Sequence, residues 1–208
     1  MPRQSTDTGG GGFTPEFGSH DVICCQLVDF GTHDKEWKGK TVGKVNKVNF
    51  GFEFINETMD GENGEFNPIW GAQFTNSLSK KANLRGILEG WRGKQFTEEE
   101  LKGFDLSKLL GMPCTLVIQP NTNGNPKIQA IMRAKDLVGK RDVHEYWVEE
   151  GCFENEIPDW MPEWMMDEIK SSYEFRVGFD FDTKEAEQLP NEQPSHIPPF
   201  GDDDDIPF

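Results

Sequence analysis

The sequence lacks the features that identify membrane proteins and metal-binding modules. No apolar run approaches the roughly 18 to 20 residues that span a bilayer, and residues 1–12 lack the apolar core of a secretory signal. The four cysteines lack the paired spacing that zinc ribbons and fingers need, which predicts reduced, structural thiols. We therefore expect a cytoplasmic chain without a membrane segment and without a structural metal.

Catalytic motifs are missing as well. The sequence contains no nucleophile elbow, Walker loop, zinc-protease helix or dinucleotide fingerprint, and its four histidines are scattered. The glycines at 9–12 precede no strand and helix, so they do not form a phosphate loop. Adjacent carboxylates at 202–205 would attract Mg²⁺ weakly, without the preorganised geometry of a nuclease site. We expect no enzymatic activity and no cofactor.

Basic residues are scarce in the last third of the chain. Residues 1–135 hold 16 Lys and Arg against 16 Asp and Glu, whereas residues 136–208 hold 5 against 21. The formal net charge of −16 therefore belongs entirely to the last third. A strongly negative net charge usually argues against nucleic-acid binding, but here the net charge of the first 135 residues is zero. The distribution predicts a neutral body followed by an acidic extension.

Residues 1–135, the body, show the apolar and polar alternation that is typical of β-strands. Strand one is predicted at 22–30 and is expected to end in a polar loop at 31–40. Strand two places Val48, Phe50, Phe52 and Phe54 on one face at period two, which favours a core wall. A turn at 60–64 precedes strand three, and two further strands flank a loop. Strand three is predicted at 67–78, and strands four and five at 114–120 and 127–134.

Helical spacing appears between strands three and four. Leu84, Ile87, Leu88 and Trp91 recur at i, i+3, i+4 and i+7, so we expect a helix that Trp91 anchors in the core. Thr97 and the glutamate three residues later match a capping box, which predicts a second short helix, and 105–110 predicts another helical turn.

This element order predicts a mainly β fold. Three strands, a helix and two strands match the five-stranded oligonucleotide/oligosaccharide-binding (OB) fold, a barrel with a helix between strands three and four. Other small β-barrels and α+β domains fit the same order, so the pattern leaves them open.

The chain ends in an acidic segment with a short apolar terminus. It cannot fold alone, because its charges repel one another and it offers few side chains for burial. It suits docking into an apolar pocket rimmed by Lys and Arg. We call this segment the acidic tip; it comprises Asp202, Asp203, Asp204, Asp205, Ile206, Pro207 and Phe208.

Two parts of the chain resemble single-stranded-DNA-binding proteins. The acidic tip is similar to the carboxyl-terminal tip of the bacterial family, and the resemblance implies recruitment of replication, recombination and repair proteins. The body, notably VDFGTHDKEWKGK and LRGILEGWRGKQFTEEELKGFDLSKLLGMPC, resembles phage-encoded members. This second resemblance implies an OB-fold domain that binds unpaired DNA in phage-infected or bacterial host cytoplasm.

Binding a single strand without reading its sequence requires cations for phosphates and flat side chains for bases. The best candidate surface comprises the predicted loop after strand one and the start of strand two, where five lysines and one indole lie within thirteen residues. Strand three and the ends of strand five supply further candidates. The predicted DNA-binding residues are Lys35, Trp37, Lys38, Lys40, Lys44, Lys47, Trp70, Phe74, Lys127 and Arg133.

The chain divides into four predicted regions. They are a flexible arm at 1–12, the OB-fold domain at 13–135, an acidic extension at 136–184, and a disordered linker with the acidic tip at 185–208. In the extension, the residues around Trp164 predict a short amphipathic helix. This helix packs on the barrel, packs on another copy in a homo-oligomer, or docks a replication partner.

The preferred hypothesis is a non-enzymatic protein that coats single-stranded DNA and recruits partners through its acidic tip. Its acidic tail is expected to compete with DNA for the same lysines. The alternative is an interaction adaptor or DNA mimic whose acidic tail occupies nucleic-acid sites on other proteins. That alternative predicts no strand binding by the body.

Overall fold

A computed structural model describes residues 13–61, 64–134, 143–148, 157–158 and 160–179. The predicted arm at 1–12, the linker and acidic tip at 185–208, and part of the extension lie outside the described residues. The strands are β1 (Gly18–Trp37), β2 (Lys40–Phe54), β3 (Met59–Gly61), β4 (Gly64–Phe66), β5 (Ile69–Thr75), β6 (Pro113–Pro120), β7 (Pro126–Arg133) and β8 (His144–Tyr146). The α-helices are α1 (Asn83–Arg92), α2 (Glu163–Lys170) and α3 (Tyr173–Phe179).

The fold is mainly β, and its principal sheet has the order β5-β2-β1-β6-β7. Neighbouring strands along this path are antiparallel, while β8 pairs in parallel with β1 at 26–28. β3 pairs antiparallel with β4 in a separate two-stranded sheet, and the turn predicted at 60–64 lies partly outside the described residues. All five predicted strands of the body are present in the predicted order.

The expected closed barrel is not formed, because no ladder among the described residues joins β5 to β7. Helix α1 packs mainly against β7 and also touches β5. Gly90 of α1 lies so close to the edge of β7 that a Cβ there would come within 2.7 Å of the Ile131 carbonyl oxygen. The helix thus covers the edge that a closing strand would occupy.

Strand β1 is longer than its sequence predicts. The segment expected to be a polar loop continues β1 to Trp37 and forms a two-stranded hairpin with β2. Its residues from 34 onward are exposed, so cross-strand hydrogen bonds rather than burial hold this part of the strand. The loop prediction was wrong because apolar alternation cannot reveal a strand that has no buried face.

The first core lies between the sheet and α1. Phe50, Phe52 and Phe54 are at most 1% exposed and line it, as their period-two spacing predicts. Trp91 is 4% exposed, and its Nε1–H donates to the Pro113 carbonyl oxygen at 3.2 Å. The predicted helix α1 and its anchor in the core are confirmed.

The capping box after α1 is also present. The Thr97 N–H donates to Glu100 Oε2 at 2.9 Å, and the Glu100 N–H donates to Thr97 Oγ1 at 3.2 Å. Arg92 forms an ion pair with the same carboxylate. The second short helix predicted after Thr97 is a 3-10 helix at Glu100–Lys102, and the helical turn predicted at 105–110 is a 3-10 helix at Leu106–Leu109.

A second core lies on the other side of β1. Val28 and Phe30 of β1 pack there against Met165 and Ile169 of α2 and against Phe175 of α3. The predicted amphipathic helix is confirmed as α2, and it packs on the sheet, which was the first of its three alternatives. The acidic extension therefore contributes two helices to the fold.

Candidate nucleic-acid interface

A two-residue turn ends the β1–β2 hairpin. Trp37 pairs directly with Lys40, and the two residues between them, Lys38 and Gly39, have φ values of 50° and 73°. Positive φ at both central positions defines a type I′ turn, whose twist matches that of the paired strands. Because the Cβ atoms of directly opposed residues lie about 5 Å apart, the side chains of Trp37 and Lys40 leave the backbone next to each other.

The end of the hairpin combines an exposed ring with several cations. Trp37 is 41% exposed, and the Lys38 Nζ lies 5.7 Å from the centre of an indole ring. Lys35 lies two residues before Trp37 on the same strand and therefore shares its face. We call Lys35, Trp37, Lys38 and Lys40 the hairpin-tip surface. None of its lysines forms an ion pair with a described residue.

The other two predicted hairpin lysines are engaged by the acidic extension. Lys47 Nζ lies 2.6 Å from Glu168 Oε1 of α2, and Lys44 Nζ lies 3.7 Å from the ring centre of Tyr173 in α3. Partial burial opposes ionisation of Glu168, but the hydrogen bond and charge of Lys47 outweigh it and hold the pKa of the carboxyl below its usual range. These two lysines are already paired inside the molecule.

Further polar contacts fasten α3 to β1. Glu174 accepts hydrogen bonds from the Thr32 N–H at 2.7 Å and from Thr32 Oγ1 at 2.6 Å. Partial burial opposes ionisation of Glu174, yet these bonds lower its pKa. The Tyr173 hydroxyl donates to Asp34 Oδ1 at 2.6 Å, and this bond raises the pKa of the phenol.

Backbone geometry permits this close approach. Gly31 has φ +77°, and a Cβ at this position would come within 2.6 Å of Glu174 Oε2. Only glycine combines this conformation with the space that the carboxylate needs. In the sequence Gly31 follows an apolar run and begins the expected polar loop, whereas in the structure it lies within β1 and leaves space for the Glu174 carboxylate.

The remaining predicted site residues lie elsewhere. Phe74 is 8% exposed and packs edge-to-face against Phe50 with ring centres 5.9 Å apart, so the structure places this predicted stacking residue in the core. Trp70 is half-buried and packs against the same core. Both side chains lie on the core side of β5.

The two cations of β7 are separated from the hairpin. Lys127 lies near the start of β7 and is partly buried, whereas Arg133 ends the strand and is exposed. β7 pairs with β6, and β6 pairs with β1 only from Gly18 to Ile23, at the opposite end of β1 from Trp37. The structure therefore does not gather these cations with the hairpin-tip surface.

Two further apolar side chains are exposed, one in the hairpin and one on α2. Val42 is 55% exposed in the hairpin, at the bulge where Lys35 and Glu36 pair with residues 43 and 41. Trp164 is 53% exposed on α2, with its ring 6.0 Å from that of Phe30. Sequence spacing placed Trp164 on a mixed helix face, but only the packing of α2 decides which part of that face meets solvent.

The described residues contain no group of three or more His, Cys, Asp or Glu that could hold a metal ion, and none of their helices is long and apolar enough to cross a membrane. Burial raises the pKa of the Cys24 and Cys114 thiols well above its usual value, which disfavours the reactive thiolate. In comparisons with known proteins, no family model and no curated protein matches the chain.

Proposed function

We propose that the chain binds single-stranded DNA through its hairpin-tip surface and recruits replication, recombination or repair proteins through its acidic tip. The observation that carries the first part is the hairpin end itself. There, an indole 41% exposed is held by a type I′ turn among three lysines that no described carboxylate neutralises.

The fold supports this proposal. The OB-fold is a five-stranded, partly open Greek-key barrel, and the loop between its strands one and two is one of its ligand-binding loops. The strand order β5-β2-β1-β6-β7, with α1 between the third and fourth strands of the body, fits such a partly open arrangement. In this chain the connection between strands one and two is the hairpin tip.

The surface has the chemistry that a strand requires. A base stacked on an aromatic side chain contributes about 1 to 3 kcal/mol, and every base offers a flat face, so such binding has little sequence preference. If three lysines contact three phosphates, the slope of log affinity against log salt would be about −2, because each phosphate of a single strand contributes about −0.7. One stacked base and three phosphates make a small site, which suits repeated contacts along a strand.

A fluorescence titration with oligothymidine tests the proposal. Stacking on Trp37 is expected to quench tryptophan emission, and added salt is expected to reverse the quenching. Because Trp37→Ala removes the quenched ring itself, the affinities of the variants are compared by the anisotropy of fluorescein-labelled oligothymidine. In that assay Trp37→Ala is expected to weaken binding about five- to 150-fold, which corresponds to the loss of one stacked base. The matched control is Trp164→Ala, because Trp164 is also exposed, at 53% against 41% for Trp37, but lies on α2.

The outcomes separate the two functions under consideration. Binding that survives in the control and falls in Trp37→Ala supports the hairpin-tip surface. If both variants bind with equal affinity, the strand binds to another surface of the protein. No binding of the native chain even at low salt would reject strand binding and favour the adaptor or DNA-mimic alternative.

A further inference from the structure

Strands β3 and β4 form a short two-stranded ribbon that is separate from the principal sheet. Met59 pairs directly with Phe66, and Asp60 pairs directly with Glu65. Because side chains alternate between the two faces of a strand, one face of this ribbon is apolar and the other is acidic. We call residues 59–61 and 64–66 the acidic ribbon. All of them except Met59 are exposed.

The acidic ribbon has two unfavourable features in the isolated chain. Like charges directly opposite each other destabilise a strand pair, and neither Asp60 nor Glu65 forms an ion pair with a described residue. Phe66 is 48% exposed, and its ring lies across Gly61, where a Cβ would come within 3.0 Å of it. Because a two-stranded ribbon alone is only marginally stable in water, a partner that covers the ring and supplies cations would stabilise it.

A groove with complementary chemistry runs between α1 and the edge of β7. It encloses about 440 Å³, with Ile87 of α1 on one wall and Ala130 and Met132 of β7 on the other. Met132 is 45% exposed, so the groove offers apolar surface to solvent. At its rim, Lys80 and Lys81 are exposed and form no ion pair with a described residue.

The lining of the groove favours an acidic, apolar protein element over nucleic acid. None of the described residues that line it is aromatic, so an unstacked base would find no flat side chain there. A methionine sulfur makes favourable contacts with an aromatic ring, and lysines donate charge-assisted hydrogen bonds to carboxylates. The expected occupant therefore carries an aromatic side chain beside carboxylates, as the acidic ribbon does.

The ribbon of the same chain does not occupy this groove. Among the described residues, none that lines the groove belongs to the ribbon. Hydrogen bonds fix the base of the ribbon: Asn67 Nδ2 donates to the Glu57 carbonyl oxygen at 2.7 Å, and the Phe54 N–H donates to the Pro68 carbonyl oxygen at 2.9 Å. A ribbon that enters the groove therefore comes from another copy.

We propose that the groove between α1 and β7 receives the acidic ribbon of a second copy of the chain. Phe66 lies against Ile87 and Met132, and the two rim lysines reach the opposed carboxylates on their flexible stems. The groove and the ribbon are different surfaces, so the contact is heterologous and each pair keeps one free groove and one free ribbon for further copies. The inference goes beyond the proposed function, because this self-association requires no DNA.

Sedimentation velocity of the full chain tests the contact in the absence of DNA. A small interface is expected to be weak, so the chain is examined from about 5 to 500 μM. Each copy carries a net charge of −16, and salt at about 0.1 M screens the resulting repulsion beyond about 10 Å. The average sedimentation coefficient of the native chain is expected to rise with concentration.

Charge reversal on either side of the contact is expected to weaken self-association at least tenfold. The ribbon variant carries Asp60→Lys with Glu65→Lys, and the groove variant carries Lys80→Glu with Lys81→Glu. An equimolar mixture of the two variants is expected to associate again. In the mixture the positive ribbon of one variant meets the negative groove of the other, and the two unchanged surfaces remain complementary.

Two further variants separate charge from apolar contact and from general effects. Phe66→Ala leaves every charge in place and is expected to weaken self-association at least tenfold, as loss of a central aromatic anchor does. The matched control is Lys38→Glu with Lys40→Glu, which reverses two charges at the hairpin-tip surface. This control is expected to change self-association less than threefold.

The outcomes decide the proposal. Loss of self-association in both charge variants, with recovery in their mixture, supports it. A native chain that stays monomeric over the whole range overturns it, as does self-association that either charge variant leaves unchanged. Loss in both variants without recovery in the mixture also overturns it, because the ribbon and the groove then do not contact each other.

Nucleic acid in the groove is a separate outcome. If the native chain is monomeric and the groove variant binds oligothymidine as poorly as the Trp37→Ala chain does, the groove is a phosphate track and the ribbon assignment is wrong. A native chain that binds no oligothymidine but self-associates as described would reject the proposed strand binding and leave this inference standing.

Discussion

Replacing Glu168 by glutamine should release Lys47 from the acidic extension and increase its availability to DNA. The two side chains are 31% and 28% exposed and meet at 2.6 Å. Partly exposed pairs of this kind contribute about 0.5 to 1 kcal/mol, so we expect Glu168→Gln to lower the free energy of unfolding by that amount at neutral pH. The docked helix should survive this loss, because Met165 and Ile169 anchor it in the second core.

The larger effect is expected in the salt dependence of strand binding. If Lys47 gains one phosphate contact, the slope of log affinity against log salt becomes steeper by about 0.7. Between 50 and 200 mM salt this adds about a 2.5-fold loss of affinity to that of the native chain. Titrations with oligothymidine at four salt concentrations measure the slope directly.

The control removes the same charge without freeing Lys47. Asp167 is exposed and forms no ion pair with a described residue, so Asp167→Asn should leave the slope unchanged. An unchanged slope in Glu168→Gln, or the same change in both variants, would refute the reasoning that α2 occupies this lysine.

The pH dependence provides an independent check. The folded pKa of Glu168 lies below its ordinary value of 4.5, so the pair stabilises the fold above that value and is lost as the pH falls through the folded pKa. The stability difference between native and Glu168→Gln chains should therefore shrink below about pH 4.5, which urea unfolding measures. A difference that persists at lower pH would contradict the ion-pair origin.

Two further predictions concern the scaffold. Gly90→Ala should destabilise the fold by about 1 to 3 kcal/mol, because its Cβ would lie 2.7 Å from the Ile131 carbonyl oxygen. Gly86→Ala should stabilise the fold by up to about 1 kcal/mol, because a Cβ at position 86 would have no atom within 4 Å. Urea unfolding of both variants decides this, and equal effects would contradict the close packing of α1. The hydrogen bond from the Thr97 N–H, together with the smaller effects of Arg92 and Lys94, lowers the pKa of Glu100 to about 2. The stabilisation that Glu100→Gln removes should thus be present above pH 4.5 and fade as the pH falls towards 2, and a pH-independent effect would argue against the capping box.

Some elements were predictable because local rules and burial agree in them. Helix α1 shows a 3.6-residue apolar period, and all four of its periodic residues are buried. The aromatic stripe of β2 alternates at period two and lines the core. In both cases one face of the element is buried in a core, so the spacing of apolar residues in the sequence predicts which side chains are buried.

The hairpin shows why part of the candidate site was not predictable. Its strands are polar on both faces, and their pairing depends on a partner strand and on a turn with Lys38 at positive φ, a conformation in which lysine is uncommon. The residue types of the surface were nevertheless visible in the sequence. What the sequence did not show is that Lys35, Trp37 and Lys40 stand at a defined turn while Lys47 points to a glutamate.

The sequence by itself determined the neutral body, the acidic last third, the five strands of the body and the helix between them, because charge, period and turn residues are local properties. Only the tertiary structure decided that the sheet stays open beside α1 and that α2 and α3 cover part of the basic strand. The first outcome depends on the contact of Gly90 with Ile131, and the second on contacts between residues more than a hundred positions apart, such as Lys47 with Glu168. Pairing of that kind depends on which charged and apolar faces meet in space, and the spacing of residues along the chain does not predict it.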